Sequence, residues 1–493
     1  MFSKILIANR GEIAIRIMRA CKEMGIQTVA VYSEADKNSL HVQFADEAIL
    51  LGASEPKESY LSIDKIIHAA KQTNADAIHP GYGFLSENAS FAAAVASAKL
   101  TFIGPSADSI RAMGDKAESK ISMKKAGVPT VPGFEGLESA TDFKKAAKEI
   151  GYPVLVKAAA GGGGKGMRVV EKESELGEAI ESARREALNA FGDDRLLIEK
   201  YLPNAHHIEF QVLGDQHGNL VHLFERECSV QRRHQKIIEE TPSPLLAPKL
   251  RKQMGEAAVA SAKAVGYFNA GTVEFIVDPD TLKYYFLEMN TRLQVEHPIT
   301  ELVVGSDLVQ WQIRIAAGEK FPFAQKDFSQ RGHAIECRIY AEDPANGFLP
   351  STGKLLQYIE PRGPNIRVDS GFTAGSEVTH FYDPLLAKLI VYGESREVTV
   401  QRMQAALSEF VVHGVTTNID FLQAVLRHED FKRGDVSTRW VETKFNWKPG
   451  GPSFQILIAA AMADMATPRA PTRLNANEAD PYSPWKTLSG FRN

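Results

Sequence analysis

The densest group of chemically useful side chains lies in residues 288–298, with the sequence EMNTRLQVEHP. Glu288, Asn290, Arg292 and Glu296 all fall within this short segment. Buried charges need partners, and hard cations such as Mg²⁺ take oxygen ligands from carboxylates, amides and substrate phosphates. We therefore predict a metal and phosphate site here, to which other parts of the chain must contribute further acids and cations.

A predicted β-hairpin places a second acid opposite this segment. Residues 271–277 and 283–287 are predicted strands on either side of a turn. Their pairing can bring Glu274 and Glu288 side by side on one face, where two like charges repel unless a cation bridges them. These two acids and Asn290 form a candidate Mg²⁺ site, with salt bridges to strand neighbours as the structural alternative.

A glycine-rich loop between two predicted strands has the properties of a phosphate cradle. Residues 158–168, AAAGGGGKGMR, follow a strand at residues 152–157 and precede another at 169–170. Glycines allow close approach of the backbone, whose N–H groups bind anionic oxygens, and Lys157 and Lys165 add positive charge. A P-loop is excluded because its glycines lead into a helix. The flanking strands and the lysines favour a phosphate loop over a flexible linker.

Two polar segments precede the hairpin. Residues 225–236, ERECSVQRRHQK, are too charged for a core strand, and we interpret them as either the solvated face of a helix or the polar wall of a pocket. His206 and His207 are neighbours on a predicted strand and point to opposite faces. A zinc site built from that histidine pair is therefore disfavoured.

The beginning of the chain predicts an open α/β sheet. A strand at residues 4–8, a helix at 12–24 and a strand at 28–32 form a βαβ unit. Its first turn has one glycine, Gly11, where the dinucleotide fingerprint has three, so an NAD site is not expected. The loop at residues 79–88 follows another strand and is either a structural turn or part of a ligand site.

Length and composition limit the possible classes of protein. A chain of 493 residues suggests about three domains. The balance of 57 basic and 61 acidic residues gives no electrostatic signature for nucleic acid or an anionic membrane. No apolar run approaches the ~20 residues of a membrane span, and no signal peptide is recognised, so we predict a cytosolic protein. Cys21, Cys228 and Cys337 are scattered and are expected to be packing residues.

Taken together, these motifs resemble biotin carboxylase, an ATP-grasp enzyme, over residues 1–447. The matching segments are residues 4–14, 79–88, 157–168, 234–236, 288–298 and 336–338. The resemblance implies a three-domain α/β fold with a Rossmann-like, open parallel sheet in the first domain. The implied boundaries are 1–113 for that domain, 114–331 for the ATP-grasp domain with a mobile glycine-rich lid at about 131–203, 332–447 for a mixed β/α domain, and 448–493 for a partly disordered tail.

The resemblance also implies roles for individual residues. The ATP phosphates would be held by Lys116, Lys157, Gly163 and Gly164. The rest of the nucleotide pocket would comprise Glu199, Lys200, Leu202, His207, Gln231 and His234. The Mg²⁺ or Mn²⁺ ligands would be Glu274, Glu288 and Asn290. Bicarbonate would be bound by Lys236, Arg292, Gln294 and the backbone of Val295, with Glu296 as its general base. Arg338 would stabilise the enolate-like oxygen of biotin, and Tyr82 would line the biotin end.

The implied activity is the ATP- and bicarbonate-dependent carboxylation of biotin N1 through carboxyphosphate. No Ala-Met-Lys-Met biotinylation motif is found, so biotin is expected on a separate biotin carboxyl carrier protein or on a part of the protein outside this sequence, with a carboxyltransferase as a further partner and a homodimer as the assembly. Acetyl-CoA carboxylase in fatty acid synthesis is the favoured context, and pyruvate, propionyl-CoA and methylcrotonyl-CoA carboxylases are alternatives. Another ATP-grasp ligase, or a non-catalytic nucleotide-binding protein, remains the rival from a different class.

Overall fold

The first part of the chain forms the predicted parallel sheet. The computed structural model describes residues 1–137, 139–159, 166–233, 235–451 and 454–466. The first elements are β1 (Lys4–Ile7), α1 (Gly11–Glu23), β2 (Gln27–Ser33), α2 (Leu40–Phe44), β3 (Glu47–Gly52), α3 (Ile63–Gln72), β4 (Ala77–His79), α4 (Ala89–Ser97), β5 (Thr101–Phe102) and α5 (Ala107–Gly114). The strands pair in parallel in the order β3-β2-β1-β4-β5. Ile5 and Ile7 of β1 and Ile13 and Ile17 of α1 are buried in one core, which confirms the predicted βαβ opening.

The next elements contain the predicted strand–loop–strand unit. They are α6 (Lys116–Lys125), β6 (Gly133–Phe134), α7 (Ala140–Ile150), β7 (Val154–Ala158), β8 (Met167–Val170), α8 (Leu176–Phe191) and β9 (Leu196–Lys200). The strands lie in the order β6-β9-β7-β8, and β7 and β8 are antiparallel with Lys157 opposite Met167. The hairpin is therefore confirmed. Its predicted phosphate-binding glycines, Gly163 and Gly164, and Lys165 lie outside the described residues.

The chain from residue 204 to residue 447 is built around a long antiparallel sheet. It begins with β10 (His206–Gly214), β11 (Leu220–Arg232), β12 (Gln235–Thr241), α9 (Pro248–Ala264), β13 (Asn269–Val277), β14 (Tyr284–Asn290), α10 (His297–Val304), α11 (Leu308–Ala316) and β15 (His333–Tyr340). It continues with β16 (Glu342–Asp343), β17 (Leu349–Pro350), β18 (Gly353–Lys354), β19 (Gln357–Ile359), β20 (Ile366–Ser370), β21 (Glu377–Val378), β22 (Leu385–Gly393), α12 (Arg396–Glu409), β23 (Val411–His413), α13 (Ile419–Arg427), α14 (Glu429–Arg433) and α15 (Trp440–Thr443). The sheet order is β14-β13-β10-β11-β12-β15-β22-β20.

This sheet crosses the boundary that the sequence predicts at residue 331. Strand β12 pairs with β15, which puts Glu239 opposite Glu336. Strand β15 then pairs with β22, which puts Arg338 opposite Lys388. Side chains from the predicted central and C-terminal domains therefore stand on adjacent strands of one sheet, although the domain boundaries themselves stay a prediction.

The structure corrects two sequence-based interpretations. Residues 225–236, judged too charged for a core strand, lie mostly in β11 and β12, and Arg226 and Glu227 are buried. The helix interpretation is wrong. The strand can hold these two charges in the core because each of them faces an opposite charge or a hydrogen-bonding group rather than solvent. The second correction is that β14 extends to Asn290, so Glu288 and Asn290 are strand residues and do not follow the strand.

The chain divides into two units, Met1–Trp447 and Lys448–Asn493. In the second unit, the predicted tail begins with a helix, α16 (Phe454–Ala466). Residues 467–493, where disorder is predicted, lie outside the described part of the chain. Within the described ranges, no helix is both long and apolar enough to cross a membrane. All three cysteines are buried and free, as expected of packing residues.

Candidate active site

A cavity of about 760 Å³ collects most of the residues predicted to be functional. This volume lies within the usual range of ligand pockets. Its lining includes Lys116, Lys157, Glu199, Lys200, Leu202, His207, Gln231, Lys236, Glu274, Glu288, Asn290, Arg292, Gln294, Val295 and Arg338. Two further predicted residues, Glu296 and Tyr82, are described by the structure but are not part of the lining. Gly163, Gly164 and His234 lie outside the described residues.

The carboxylate of Glu296 is buried between two cations. Its Oε1 accepts from Lys236 Nζ at 2.9 Å, and its Oε2 accepts from Arg338 Nη2 at 3.0 Å. Glu296 itself has no exposed surface. Burial would raise the pKa of Glu296, but Lys236, Arg338 and Arg226 hold it well below its usual range. The group is therefore ionised at neutral pH and has the form needed to accept a proton.

Lys236 joins three acids at the centre of the site. Its Nζ lies 2.5 Å from Glu209 Oε2, 2.9 Å from Glu274 Oε1 and 2.9 Å from Glu296 Oε1. Burial would lower the pKa of Lys236, but the three carboxylates raise it well above its usual value. The ammonium is therefore charged at any working pH. Lys236 also lines the cavity together with Gln231 and Gln235, which confirms that residues 225–236 contribute to the wall of a pocket.

Glu209 is an important residue that the sequence analysis missed. It follows His207 by two residues on β10, so both side chains lie on the same face of the sheet. Its Oε1 accepts from Arg226 Nε at 2.5 Å, while Oε2 faces Lys236. The alternation of polar residues along residues 207–211 was the available signal. Where a histidine on a strand points into a pocket, the residue two positions later points to the same face and is also a candidate for the site.

The loop between β14 and α10 is held from the first domain. Glu87 Oε1 accepts from the backbone N–H of Thr291 at 3.0 Å, and its Oε2 accepts from Arg292 Nε at 2.9 Å. Arg292 Nη1 also donates to Gln294 Oε1 at 2.8 Å. The predicted loop at residues 79–88 is therefore more than a turn, since it positions the residues that precede Glu296.

The predicted metal ligands lie together on one hairpin. Glu274 and Glu288 are direct cross-strand partners, as predicted, and Asn290 Nδ2 donates to Glu274 Oε1 at 2.7 Å. Glu288 keeps 36% of its side-chain surface exposed and has Lys116 Nζ at 3.6 Å. Two carboxylates and an amide oxygen are a donor set that suits Mg²⁺ or Mn²⁺. The residues present therefore fit a hard divalent cation at the cavity wall.

A second acidic group borders this hairpin. His207, Glu209 and Glu274 carry donor atoms within 4.8 Å of one another among the described residues. However, His207 Nε2 lies 2.9 Å from Glu274 Oε2, and Lys236 Nζ contacts both acids. Because an ammonium already neutralises Glu209 and Glu274 there, Glu288 is the acid that is more available to a cation.

The part of the cavity next to this hairpin is suited to a nucleotide. Lys116, Lys120 and Lys157 converge near Glu199, which lies 2.6 Å from Lys157 Nζ and also contacts Lys120. Burial, together with the neighbouring lysines, lowers the pKa of Lys157 well below its usual value. An anionic phosphate would relieve this crowding of positive charge. Apolar side chains complete the wall for a flat ring, namely Val131, Leu155, Met167, Ile276 and Leu287.

Some of the wall comes from parts of the chain with no recognisable motif. Thr438, Arg439 and Glu442 line the cavity from the segment around α15. Arg439 Nη1 donates to the hydroxyl of Tyr201 at 3.1 Å, and the N–H of Thr438 donates to the carbonyl of Ala205 at 3.0 Å. Nothing in the local sequence signals this role, since it depends on contacts between segments that lie far apart in the chain.

Tyr82 occupies a different position from the cavity residues. Its hydroxyl donates to Glu12 of α1, and Glu12 Oε2 lies 3.3 Å from Lys388 Nζ. Its contact with biotin therefore stays a prediction. The structure shows the half-buried Tyr82 in contact with a pair of buried charges, Glu12 and Lys388, next to the loop that carries Glu296.

Comparison with known proteins gives matches over the whole first unit. Residues 1–110 match the model of the biotin carboxylase N-terminal domain, 115–324 that of the carbamoyl-phosphate synthase L chain ATP-binding domain, and 336–443 that of the biotin carboxylase C-terminal domain. The chain is 53% identical to biotin carboxylase 1 of Bacillus subtilis over 90% of this chain and 99% of that protein.

Two further matches extend this similarity. The chain is 52% identical to the alpha chain of mitochondrial methylcrotonoyl-CoA carboxylase of Dictyostelium discoideum over 99% of this chain and 70% of that protein. Among solved structures, the biotin carboxylase domain dimer of 2-oxoglutarate carboxylase from Hydrogenobacter thermophilus, in complex with MgADP, ADP and bicarbonate, is 51% identical. It aligns with a TM-score of 0.88 over 91% of this chain and all of that chain.

Proposed function

The chain belongs to the biotin carboxylase family of ATP-dependent carboxylating ligases, and we propose that the cavity next to Glu296 carries out its chemistry. The observation that supports this most strongly is the placement of Glu296 between Lys236 and Arg338. The two cations can bind an anionic substrate, and the ionised acid between them can accept the proton that the substrate must lose.

We propose that bicarbonate binds against Lys236, Arg292, Gln294 and the backbone N–H of Val295. Glu296 accepts its proton, and a bicarbonate oxygen attacks the γ-phosphorus of ATP to release ADP. When bound, Mg²⁺ or Mn²⁺ neutralises charge on the phosphates. Glu274, Glu288 and Asn290 would hold that ion, while Lys116 and Lys157 hold the remaining phosphate charge. The product of this step is carboxyphosphate.

The second half of the reaction depends on a fixed cation and a dry site. Water hydrolyses carboxyphosphate, so closure of the predicted lid at about residues 131–203 over the cavity would protect it. Its breakdown gives CO₂ and phosphate, and the phosphate takes the proton from biotin N1. Arg338 stabilises the negative charge that then develops on the ureido oxygen, because a guanidinium keeps its charge at any working pH. The N1 anion attacks CO₂ to form carboxybiotin.

The direct test is ATP hydrolysis by the purified chain with free biotin as a substitute for the carrier. We expect hydrolysis to depend on bicarbonate and to increase when biotin is added. Folded protein that hydrolyses ATP equally well without bicarbonate would favour another ATP-grasp ligase. Folded protein that binds MgATP without hydrolysing it would favour a non-catalytic nucleotide-binding protein.

Lys236→Gln is expected to weaken bicarbonate binding before it affects the nucleotide. The amide keeps much of the side-chain volume but removes the charge that faces Glu209, Glu274 and Glu296. We expect the KM for bicarbonate to rise about tenfold or more, in line with the loss of one charge-assisted contact. Steady-state kinetics with each substrate varied will measure this. Lys124→Gln, at an exposed pair with Glu135, is the matched control. A larger rise in the KM for MgATP than in that for bicarbonate would contradict the assignment.

We propose a biotin carboxyl carrier protein as the partner and an acyl-CoA as the final acceptor. The sequence predicts acetyl-CoA, but the match to the alpha chain of methylcrotonoyl-CoA carboxylase covers 494 aligned residues and includes the segment after Trp447. That observation favours methylcrotonoyl-CoA as a second candidate. Isolation of the biotinylated partner, followed by carboxyl transfer assays with acetyl-CoA, methylcrotonoyl-CoA and pyruvate, distinguishes the candidates. We further propose a homodimer and a cytosolic location, which sedimentation and cell fractionation will test.

A further inference from the structure

Lys388 is a fully buried lysine that the chemistry above does not use. It lies on β22 and has no exposed surface. Its Nζ donates to the backbone carbonyl of Val295 at 2.8 Å and lies 3.3 Å from Glu12 Oε2 and 3.7 Å from Asp369 Oδ2. The shortest of these contacts is to a backbone atom of the catalytic loop, and not to either acid. The ammonium therefore connects the backbone of the catalytic loop to the buried acids.

The carbonyl of Val295 belongs to the peptide group that continues into Glu296. Peptide groups are planar, so a fixed carbonyl oxygen also fixes the direction of the Glu296 N–H and the position of its Cα. Residues 291–296 form an irregular loop in which this peptide lies at the centre of a turn, closed by the N–H of His297 donating to the carbonyl of Gln294 at 3.3 Å. The Val295 carbonyl takes no part in that turn bond, so the contact with Lys388 is a further restraint on the orientation of the plane.

Lys388 and Arg338 hold the same residue from two sides. They are direct cross-strand partners in the pairing of β15 with β22. Arg338 donates to the carboxylate of Glu296, and Lys388 holds the carbonyl that precedes Glu296 in the chain. Two neighbouring cations on one pair of strands thus restrain the side chain and the backbone of Glu296.

The acids around Lys388 keep its ammonium charged and in place. Burial alone would lower the pKa of Lys388, but Glu12, Glu336 and Asp369 raise it. Glu12 comes from α1, and Asp369 lies opposite Lys388 on β20. The ammonium is therefore fixed by groups from both ends of the first unit while it donates to the catalytic loop.

We propose that Lys388 is a positioning residue that orients the Val295–Glu296 peptide for bicarbonate binding and deprotonation. This inference rests on the proposed function, because it assumes that bicarbonate binds at Val295 and Glu296. Lys388 touches neither substrate in this arrangement. Its loss is therefore expected to affect bicarbonate far more than ATP, which lies against β7, β9 and the hairpin of β13 and β14.

The test uses the full chain with Lys388→Met, which keeps the length of the side chain but removes the charge and the donor. We expect the KM for bicarbonate to rise at least tenfold, with the KM for MgATP changed less than threefold. Lys388→Arg, which keeps a cationic donor, is expected to recover part of the lost bicarbonate affinity. Equal losses in the methionine and arginine variants would overturn the proposal, as would an unchanged KM for bicarbonate in Lys388→Met.

Arg396→Met is the control for the loss of a largely buried cation, since the Arg396 side chain keeps 18% of its surface exposed. Arg396 Nε lies 2.6 Å from Glu240 Oε2 on the neighbouring part of the sheet, and its hydrogen bonds go to that acid and to the carbonyls of Phe431 and Lys432. We expect this variant to lose thermal stability while its two KM values stay within twofold of the wild type. If it raised the KM for bicarbonate as much as Lys388→Met, the effect would be general destabilisation and the proposal would fail.

Two outcomes separate this inference from the proposed function. Wild-type protein without bicarbonate-dependent ATP hydrolysis would overturn the proposed function itself. Active wild-type protein with unchanged kinetics in Lys388→Met would overturn the role of Lys388 alone. If Lys388→Met does not fold, Glu12→Gln replaces it, because a neutral partner holds the ammonium less firmly. We then expect a rise of about threefold in the KM for bicarbonate, and a wild-type value would overturn the inference.

Discussion

Replacement of Glu296 by glutamine is expected to lower bicarbonate-dependent ATP hydrolysis by about 10³-fold, within the range lost when a general base is removed. The amide keeps the shape of the side chain but cannot accept a proton from bicarbonate. Because Lys236 and Arg338 would lose the negative charge between them, the affinity for the bicarbonate anion is not expected to fall. The defect should therefore appear in kcat.

Binding of MgATP, measured by titration calorimetry, provides the internal control for this variant. A loss of more than tenfold in that affinity, or ~1.4 kcal/mol, would contradict the role assigned to Glu296. Glu301→Gln is the matched comparison. Glu301 is a buried acid on the following helix, α10, and is paired with Arg16 and Arg367. We expect it to lower stability while it leaves kcat within severalfold of the wild type.

The largest expected effect on stability comes from Arg226→Met. Arg226 is fully buried and donates to Glu209, Gln211, Thr272 and Thr300. Its removal leaves the buried carboxylate of Glu209 without one of its two cations and leaves three polar side chains short of a donor. Breaking a buried ion pair in this way typically costs about 3–5 kcal/mol. Urea denaturation followed by circular dichroism will measure the loss in the free energy of unfolding.

The double variant Arg226→Met, Glu209→Gln distinguishes charge from packing in this prediction. Removal of both charges avoids an uncompensated buried carboxylate, so we expect the double variant to be more stable than Arg226→Met alone. Arg111→Met removes an exposed pair with Asp108 and is expected to be indistinguishable from wild type. An equally small effect for Arg226→Met would show that the buried network contributes little to stability.

Local patterns predicted the site well wherever its parts are close in sequence. The hairpin that pairs Glu274 with Glu288 follows from two alternating strands and a short turn, and the structure confirms its register. The parallel opening sheet follows in the same way from a buried strand, an amphipathic helix and a second strand. In each case the pattern lies within a short, continuous stretch of the chain.

What the sequence did not reveal depends on pairing between distant segments. The charged run at residues 225–236 was judged too polar for a core strand because its partners on β10, β12 and α10 were unknown. Arg226 is tolerated in the core only because Glu209 and three uncharged groups surround it. The role of Lys388 was also missed, since a lysine in an apolar strand has no meaning until Arg338 and Val295 are placed beside it.

The sheet that runs from β14 to β20 also makes the site depend on contacts between distant parts of the chain. Glu296 receives Arg338 from 42 residues further along the chain, and the Val295 carbonyl receives Lys388 from a separation of 93 residues. Such contacts require the closure of long loops, which slows folding. Because Lys236, Arg338 and Lys388 lie on β12, β15 and β22, the base is oriented only when these three strands are paired. We therefore expect the recovery of bicarbonate-dependent turnover during refolding to report the completion of this part of the sheet.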